Sequence, residues 1–435
     1  HDGNFCMDGL VYPDRTVHTG LLEYKNVYRP ARVISYNKES GELVLHNYMD
    51  FDDLKDYVKI SYELTQDGLV ISKGILPEFS VAPHGEGKTN LKINVPENGK
   101  CYLKLIYHLK KELPLLDEDH ILGFDEIEVS KEDTKCKLAE KWIPKTVVDS
   151  ELQVNENDTQ IHIKGREFAY TIDKRTALFT EMKFAGREYL NHPMELNIWR
   201  APTDNDMYIK SEWKKAHYDK AYTRAYTTEV VQGKHGVKIT SHASVVAETV
   251  QKILDVTITW KIEAAGKIDA DIAVTKDDEF PDLPRFGVRM FLDKKLSAVR
   301  YFGMGPQESY RDKHQAASHG LYRADVGDLH EDYIRPQENG SHYDCEYVEL
   351  NNSRYGIVAS AEKAFSFNAS YYTQEELEKK THNYELTESD SVVFCVDYAL
   401  NGIGSNSCGP VVLEQYRFDD VLFRFQFTLI PYIKG

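Results

Sequence analysis

A chain of 435 residues exceeds what one hydrophobic core organises and is expected to fold as two or three domains. Its apolar share of 41% and charged share of 28% are those of a folded globular protein, and a net charge of −17 argues against non-specific binding to nucleic acid or to an anionic membrane surface. No apolar run approaches the ~20 residues that span a bilayer, and six scattered cysteines, without a CxxC pair or a His cluster, read as reduced thiols of a cytoplasmic protein.

The chain opens on His1 rather than Met, so it is expected to be an excised or processed piece. Residues 1–27 carry too little apolar material for a core and read as the tail of something that precedes them. From Arg32 strand signals begin. Arg32–Tyr36, Glu42–Asn47, Tyr57–Leu64, Leu69–Gly74, Leu91–Val95, Cys101–Tyr107 and Ile127–Val129 alternate or cluster apolar residues, with an Asp67-Gly68 turn between two of them. That spacing predicts an immunoglobulin-like sandwich over 28–131, without the Cys…Trp…Cys framework of antibody domains. Residues 132–146 are charge-rich and predict a short linker. From 147 to 435 the sequence is again strand-dominated, with Gln160–Lys164, Val237–Thr240, Ile253–Glu263, Ile268–Thr275, Phe286–Phe291, Tyr347–Leu350, Val392–Tyr398 and Leu422–Leu429 as examples. Few helices are expected. Thr373–Lys380 is one, with Thr373 as its N-cap and Glu376 completing a capping box. The fold class is therefore all-β: an immunoglobulin-like sandwich followed by a large β-sandwich.

The search for chemistry gives no self-sufficient site. A retaining glycosidase needs two carboxyl groups about 5–5.5 Å apart, and none of the 70 acidic residues sits in a setting that marks it. Asp204 and Asp206, in Arg200-Ala-Pro-Thr-Asp-Asn-Asp206, stand out by density. An Asx-rich turn after a strand is the stronger reading there, ahead of direct catalysis. Gly303–Tyr310 lacks the Lys-Ser/Thr of a phosphate loop, no Gly-X-Ser-X-Gly elbow exists, and Pro336–Gly340 reads as a turn. Gly402–Pro410 is a loop of small residues. It reads equally as a close-approach site for a ligand or as a plain flexible loop.

Taken together these segments resemble one family. Phe5-Cys-Met-Asp8-Gly-Leu-Val11, followed by Asp14-Arg15, resembles the end of the catalytic barrel of glycoside hydrolase family 2 β-galactosidases. Arg200–Asp206, Gly305–Tyr310, Pro336–Gly340 and Gly402-Ile-Gly404 with Ser407-Cys408 are similar to four further motifs of that family, in the same order. The resemblance implies the barrel tail and the fourth and fifth domains of a lactose-hydrolysing, retaining enzyme. It implies magnesium in the parent, with its principal ligands and both catalytic glutamates on a barrel outside this sequence, so this chain alone is expected to be inactive. It implies a sodium ion bound by the Phe5 carbonyl and the Asp8 side chain, where Asp replaces the family's Asn; a simple turn residue is the alternative for Asp8. It implies substrate contact at Cys408, where some members carry a stacking Trp, and at His217, within a segment 213–224 similar to a mobile active-site loop. A small loop residue is the alternative for Cys408. The implied partners are a β-galactoside and the absent barrel, with a homo-oligomeric parent and neither nucleic acid nor membrane. A relative with another sugar preference, a non-catalytic carbohydrate-binding or interaction module, and the small subunit of a two-chain glycosidase remain alternatives.

Overall fold

The computed structural model describes residues 9–131, 134–142 and 152–434. Phe5 and Asp8 lie outside them. Among the described residues the fold is all-β with few helices, and no helix is long and apolar enough to cross a membrane.

Seven strands between Ala31 and Glu128 form two sheets. One holds Ala31–Tyr36, Glu42–Asn47 and Glu86–Asn90; the other runs in the order Leu69–Ile75, Val58–Gln66, Cys101–Leu109, Ile121–Glu128. Alternation explains them: Val58, Ile60 and Leu64, and Cys101, Leu103, Leu105 and Tyr107, face one core with Leu43 and Leu45. Asp67 and Gly68 turn the hairpin with φ of 47° and 78°, the left-handed pair that a tight two-residue turn requires. Gly68 is fixed for a second reason: a Cβ there would lie 2.2 Å from the backbone N of Leu321 in the following sandwich.

Two sequence expectations shift here. Leu91–Val95 is not a strand; the strand that pairs with Glu42–Asn47 is the preceding polar stretch Glu86–Asn90. It is an edge strand, exposed at alternate positions, so hydrophobicity under-marks it. Residues 19–27, read only as part of a tail without a core of its own, are a helix, Thr19–Val27, entered from His18, whose ring accepts the Gly20 N–H.

From Gln153 onward, a five-stranded sheet (153–188) packs on a twelve-stranded one that starts at Leu190 and ends at Ile433. Its central strands are near-continuous apolar runs. Phe286, Val288, Met290 and Leu292 of Arg285–Asp293, and Val392, Phe394 and Val396 of Ser391–Leu400, are fully buried. The helix Gln374–Lys379 forms where expected, and Thr373 Oγ accepts the Glu376 N–H at 3.1 Å. The reciprocal half of the capping box does not form, because Glu376 Oε1 accepts instead from Thr387 N.

The two sandwiches are joined by their own small core. Tyr102 packs with Phe302, Tyr347, Val358, Ile430 and Tyr432. His319 stacks on Tyr102 at 4.0 Å and, protonated, donates to Glu126 at 2.7 Å and to Asp344 at 3.0 Å. Burial alone would depress this imidazole, but the two carboxylates hold its pKa up at about 9.

Candidate functional site

The motif segments separated by up to two hundred residues meet at one end of the large sandwich. Arg200 lies three residues beyond the strand Leu190–Asn197 and is fully buried. Its Nε and Nη2 grip Asp206 at 3.1 and 2.7 Å, and its remaining N–H groups donate to the carbonyls of Asn401 (2.6 Å) and Gly402 (3.0 Å). A buried guanidinium is tolerated only when its donors are met in this way. Asp206 Oδ2 also accepts the Thr203 N–H, so Ala201–Asp206 is folded around its own carboxylate. The turn reading of this motif holds, and its acid is consumed by structure.

Asn205 extends the same device outward. Its Nδ2 donates to Gly404 O at 2.7 Å and its Oδ1 accepts from Ser407 Oγ at 2.9 Å. From the other side Asp312 accepts the N–H groups of Ile403 and Gly404 at 2.9 and 2.7 Å. The loop of small residues is therefore tied down along 402–407, its end turns back through the Cys408 and Gly409 N–H groups onto Ser405 O, and Cys408 is exposed.

Pro336–Gly340 threads between these pieces. Glu338 N donates to Ala201 O, and Gln337 bonds both the N–H and the carboxylate of Asp204. The Glu338 side chain meets Arg285, which also grips Asp397. Burial opposes a charge on Arg285, but Asp397 and Glu338 overcome it and hold the guanidinium firmly protonated. Burial pushes Glu338 up against the pull of Arg285 and Arg200. Glu308, from Gly305–Tyr310, is tied to Lys313 (2.5 Å), to the Tyr333 hydroxyl (2.5 Å) and to Gly340 N (2.8 Å). Burial would raise it, yet Lys313 and these hydrogen bonds draw it below the usual glutamate range.

The N-terminal helix docks on this last group. Thr19 Oγ reaches Glu308 and Tyr333, Glu23 accepts the N–H groups of Gln315 and Ala316, and Tyr12 OH donates to Glu331 at 2.6 Å. Asn26 then bridges onward to Gln315 O and Phe124 N, linking helix and both sandwiches.

The segment 213–224 is the end of the helix Ile209–Lys215, a left-handed His217 (φ 58°), a 3-10 turn and the first residues of the strand Tyr222–Gln232. Trp213 and Tyr218 anchor its flanks by donating to the carbonyls of Asp282 and Pro281. A cavity of about 590 Å³ lies beside it, lined by Asn205, Met207, Tyr208, Asn401, Val412 and Arg417. Neither His217 nor Cys408 lines this cavity. Among the described residues no group of three or more His, Cys, Asp and Glu could hold a metal ion.

Arg285, Asp397, Asp312 and Lys313 were not singled out in the sequence. Signals for two of them existed: Asp397 breaks the apolar run Val392–Val396, and Arg285 opens another, and a charge inside such a run demands a partner.

Residues 164–429 match the family model described as the β-galactosidase small chain, and residues 43–130 match β-galactosidase domain 4. A protein of Actinobacillus pleuropneumoniae named β-galactosidase is 44% identical over 99% of this chain, and one of Staphylococcus xylosus with the same name is 32% identical over 99%. The chain covers 42% of the length of each. A galactose 1-epimerase structure from Lactobacillus acidophilus aligns with 66% of this chain and 99% of its own, at 8% identity and a TM-score of 0.37, too distant to bear on function. With a match that runs through most of its large sandwich, the chain belongs to the family described as the β-galactosidase small chain.

Proposed function

We propose that this chain is the C-terminal portion of a glycoside hydrolase family 2 β-galactosidase, that its parent hydrolyses terminal β-galactosides such as lactose with retention, and that the portion described here builds the rim of the sugar cleft. The observation that carries the reading is the fate of the buried carboxylates at the motif cluster. Asp206 is held by Arg200, Asp397 and Glu338 by Arg285, and Glu308 by Lys313. A nucleophile and an acid/base must face substrate and change charge during turnover. These four acids are instead the counter-ions of fixed cations. The bond-breaking pair is then supplied by the parent's remaining length.

What the chain's own residues do is position. Arg200, Asn205 and Asp312 fix the backbone of 402–407, and so set where Cys408 stands at the rim. A thiol offers no aromatic face, so the subsite for the non-galactose part binds without stacking on this residue. His217, held between Trp213 and Tyr218, presents its ring from the neighbouring segment. Sodium at Phe5 and Asp8, magnesium elsewhere in the parent, a cytoplasmic location and a homo-oligomeric parent belong to the same reading. The test is hydrolysis of a chromogenic β-galactoside by the full-length protein and by Asn205→Ala in it. The expected result is activity in the parent, with KM raised more than kcat is lowered in the variant. A parent that does not cleave β-galactosides overturns the reading.

A further inference from the structure

Two arginines stand directly opposite one another on neighbouring strands. In the pairing of Ala298–Gly305 with Ser318–Asp325, Arg300 faces Arg323 across the ladder. Like charges so placed repel and destabilise a sheet unless something stands between them. Elsewhere in this acidic chain buried or half-buried arginines are matched to carboxylates, as Arg29, Arg200, Arg285 and Arg289 show. Here they are not. Among the described residues neither guanidinium has a carboxylate within ion-pair distance, and Arg300 Nε is buried with no hydrogen-bond partner.

The acid that the sheet places nearest is held by two hydroxyls and forms no ion pair among the described residues. Glu349 lies opposite Arg300 on the other side, in the strand Ser341–Asn351. Its two oxygens accept from the hydroxyls of Tyr347 (2.5 Å) and Tyr432. Lys141 and Lys434 bring two more cations to the same cavity of about 690 Å³. Lys434 donates to Asn351 Oδ1 and Asn352 O, Lys141 lies over the Trp142 ring, and among the described residues neither forms an ion pair. Burial, with repulsion from Arg300, Lys434 and Arg323, lowers the Lys141 pKa against the attraction of Glu349. Glu349, Asp325 and Asp328 line the cavity as well, so four cations face three carboxylates there; Asp328 accepts the Asp325 N–H and Asp325 accepts from Ser297.

We infer that this cavity is a binding site for a multiply charged oxyanion of the phosphate class, held between the guanidiniums of Arg300 and Arg323 with Lys141 and Lys434 at its edge. Paired guanidiniums offer planar sets of N–H donors that match the oxygens of such an anion, and the anion cancels the cross-strand repulsion. None of the cavity's residues belongs to the five family-like segments. It stands whether or not the parent cleaves β-galactosides.

Trp142 lines the cavity, while Trp199, Trp213 and Trp260 are buried, so indole fluorescence reports on it selectively. Inorganic phosphate is titrated into the chain at constant ionic strength, with chloride and acetate as comparison anions. The expected result is a saturable change with phosphate and none with chloride or acetate. Arg300→Gln and the exposed-site variant Arg323→Gln each weaken the phosphate response by about tenfold or more, the loss of one charge-assisted contact. Because Arg323 is exposed, its variant decides the matter should Arg300→Gln fold poorly. A flat phosphate titration, an equal response to acetate, or unchanged phosphate affinity in Arg323→Gln would overturn the proposal.

Discussion

Two charged centres in this molecule are built from opposite materials. At the motif cluster, Arg200 and Arg285 are cations at every accessible pH, sealed from water against Asp206, Asp397 and Glu338. At the seam between the sandwiches, the cation is His319, between Glu126 and Asp344. The first centre ties segments of one domain into a fixed loop geometry. The second joins domains and exists only while the imidazole is protonated. The rim proposed here, which would present side chains at set positions, calls for bonds that no pH change dissolves. A seam between domains carries no such demand, and a titratable group serves.

The largest effect should come from breaking the permanent centre. Arg285→Met leaves Asp397 and Glu338 buried without a cation, and should destabilise the chain by about 3–5 kcal/mol in denaturant unfolding. A small loss would mean that the cluster is dispensable and the contrast false. The seam comes next. The folded pKa of His319 is raised to about 9 from 6.5, so its contribution is fully present below pH 6.5 and is lost as pH rises through about 9. Wild-type unfolding should therefore show a fall in stability of up to about 3 kcal/mol across that window. His319→Gln should remove that dependence. Arg200 and Arg285 should contribute no slope there, and equal slopes in both variants would erase the distinction.

Smaller effects sharpen the picture of the rim. Asn205→Ala removes the bonds to Gly404 and Ser407 and should cost about 1–2 kcal/mol while loosening the loop, read as faster amide exchange at 403–408. His217→Gly should stabilise by about 0.5–1 kcal/mol, because the left-handed backbone there strains any residue with a Cβ. Cys408→Ser should change stability by less than about 0.5 kcal/mol, since this side chain is exposed and bonded to nothing that stability needs.

Much of this fold was legible because its strands carry their signal locally. Val58–Gln66 and Cys101–Leu109 alternate, and within Ser391–Leu400 the stretch 392–396 is a continuous apolar run, buried throughout. Elements whose stability comes from elsewhere were missed. Glu86–Asn90 is polar and held by its neighbour. Thr19–Val27 has little amphipathic pattern and is held by Glu23, Asn26 and Thr19 bonding to residues 289 to 292 positions away. The motif segments were visible as strings, and Asp204 and Asp206 as an Asx-rich turn. That Gly402–Pro410 is tethered rather than flexible was not legible, because the tethers, Arg200, Asn205 and Asp312, act through folded-state geometry. Arg285 with Asp397 was missed for the same reason, although a charge within an apolar strand is itself a mark.

The most direct test of the account is to compare β-galactoside hydrolysis by the folded chain alone with hydrolysis after the chain is joined to the rest of its parent. The account predicts turnover only in the joined protein, with every carboxylate of the Arg200 and Arg285 cluster already committed to a cation. Turnover by the chain alone would contradict it.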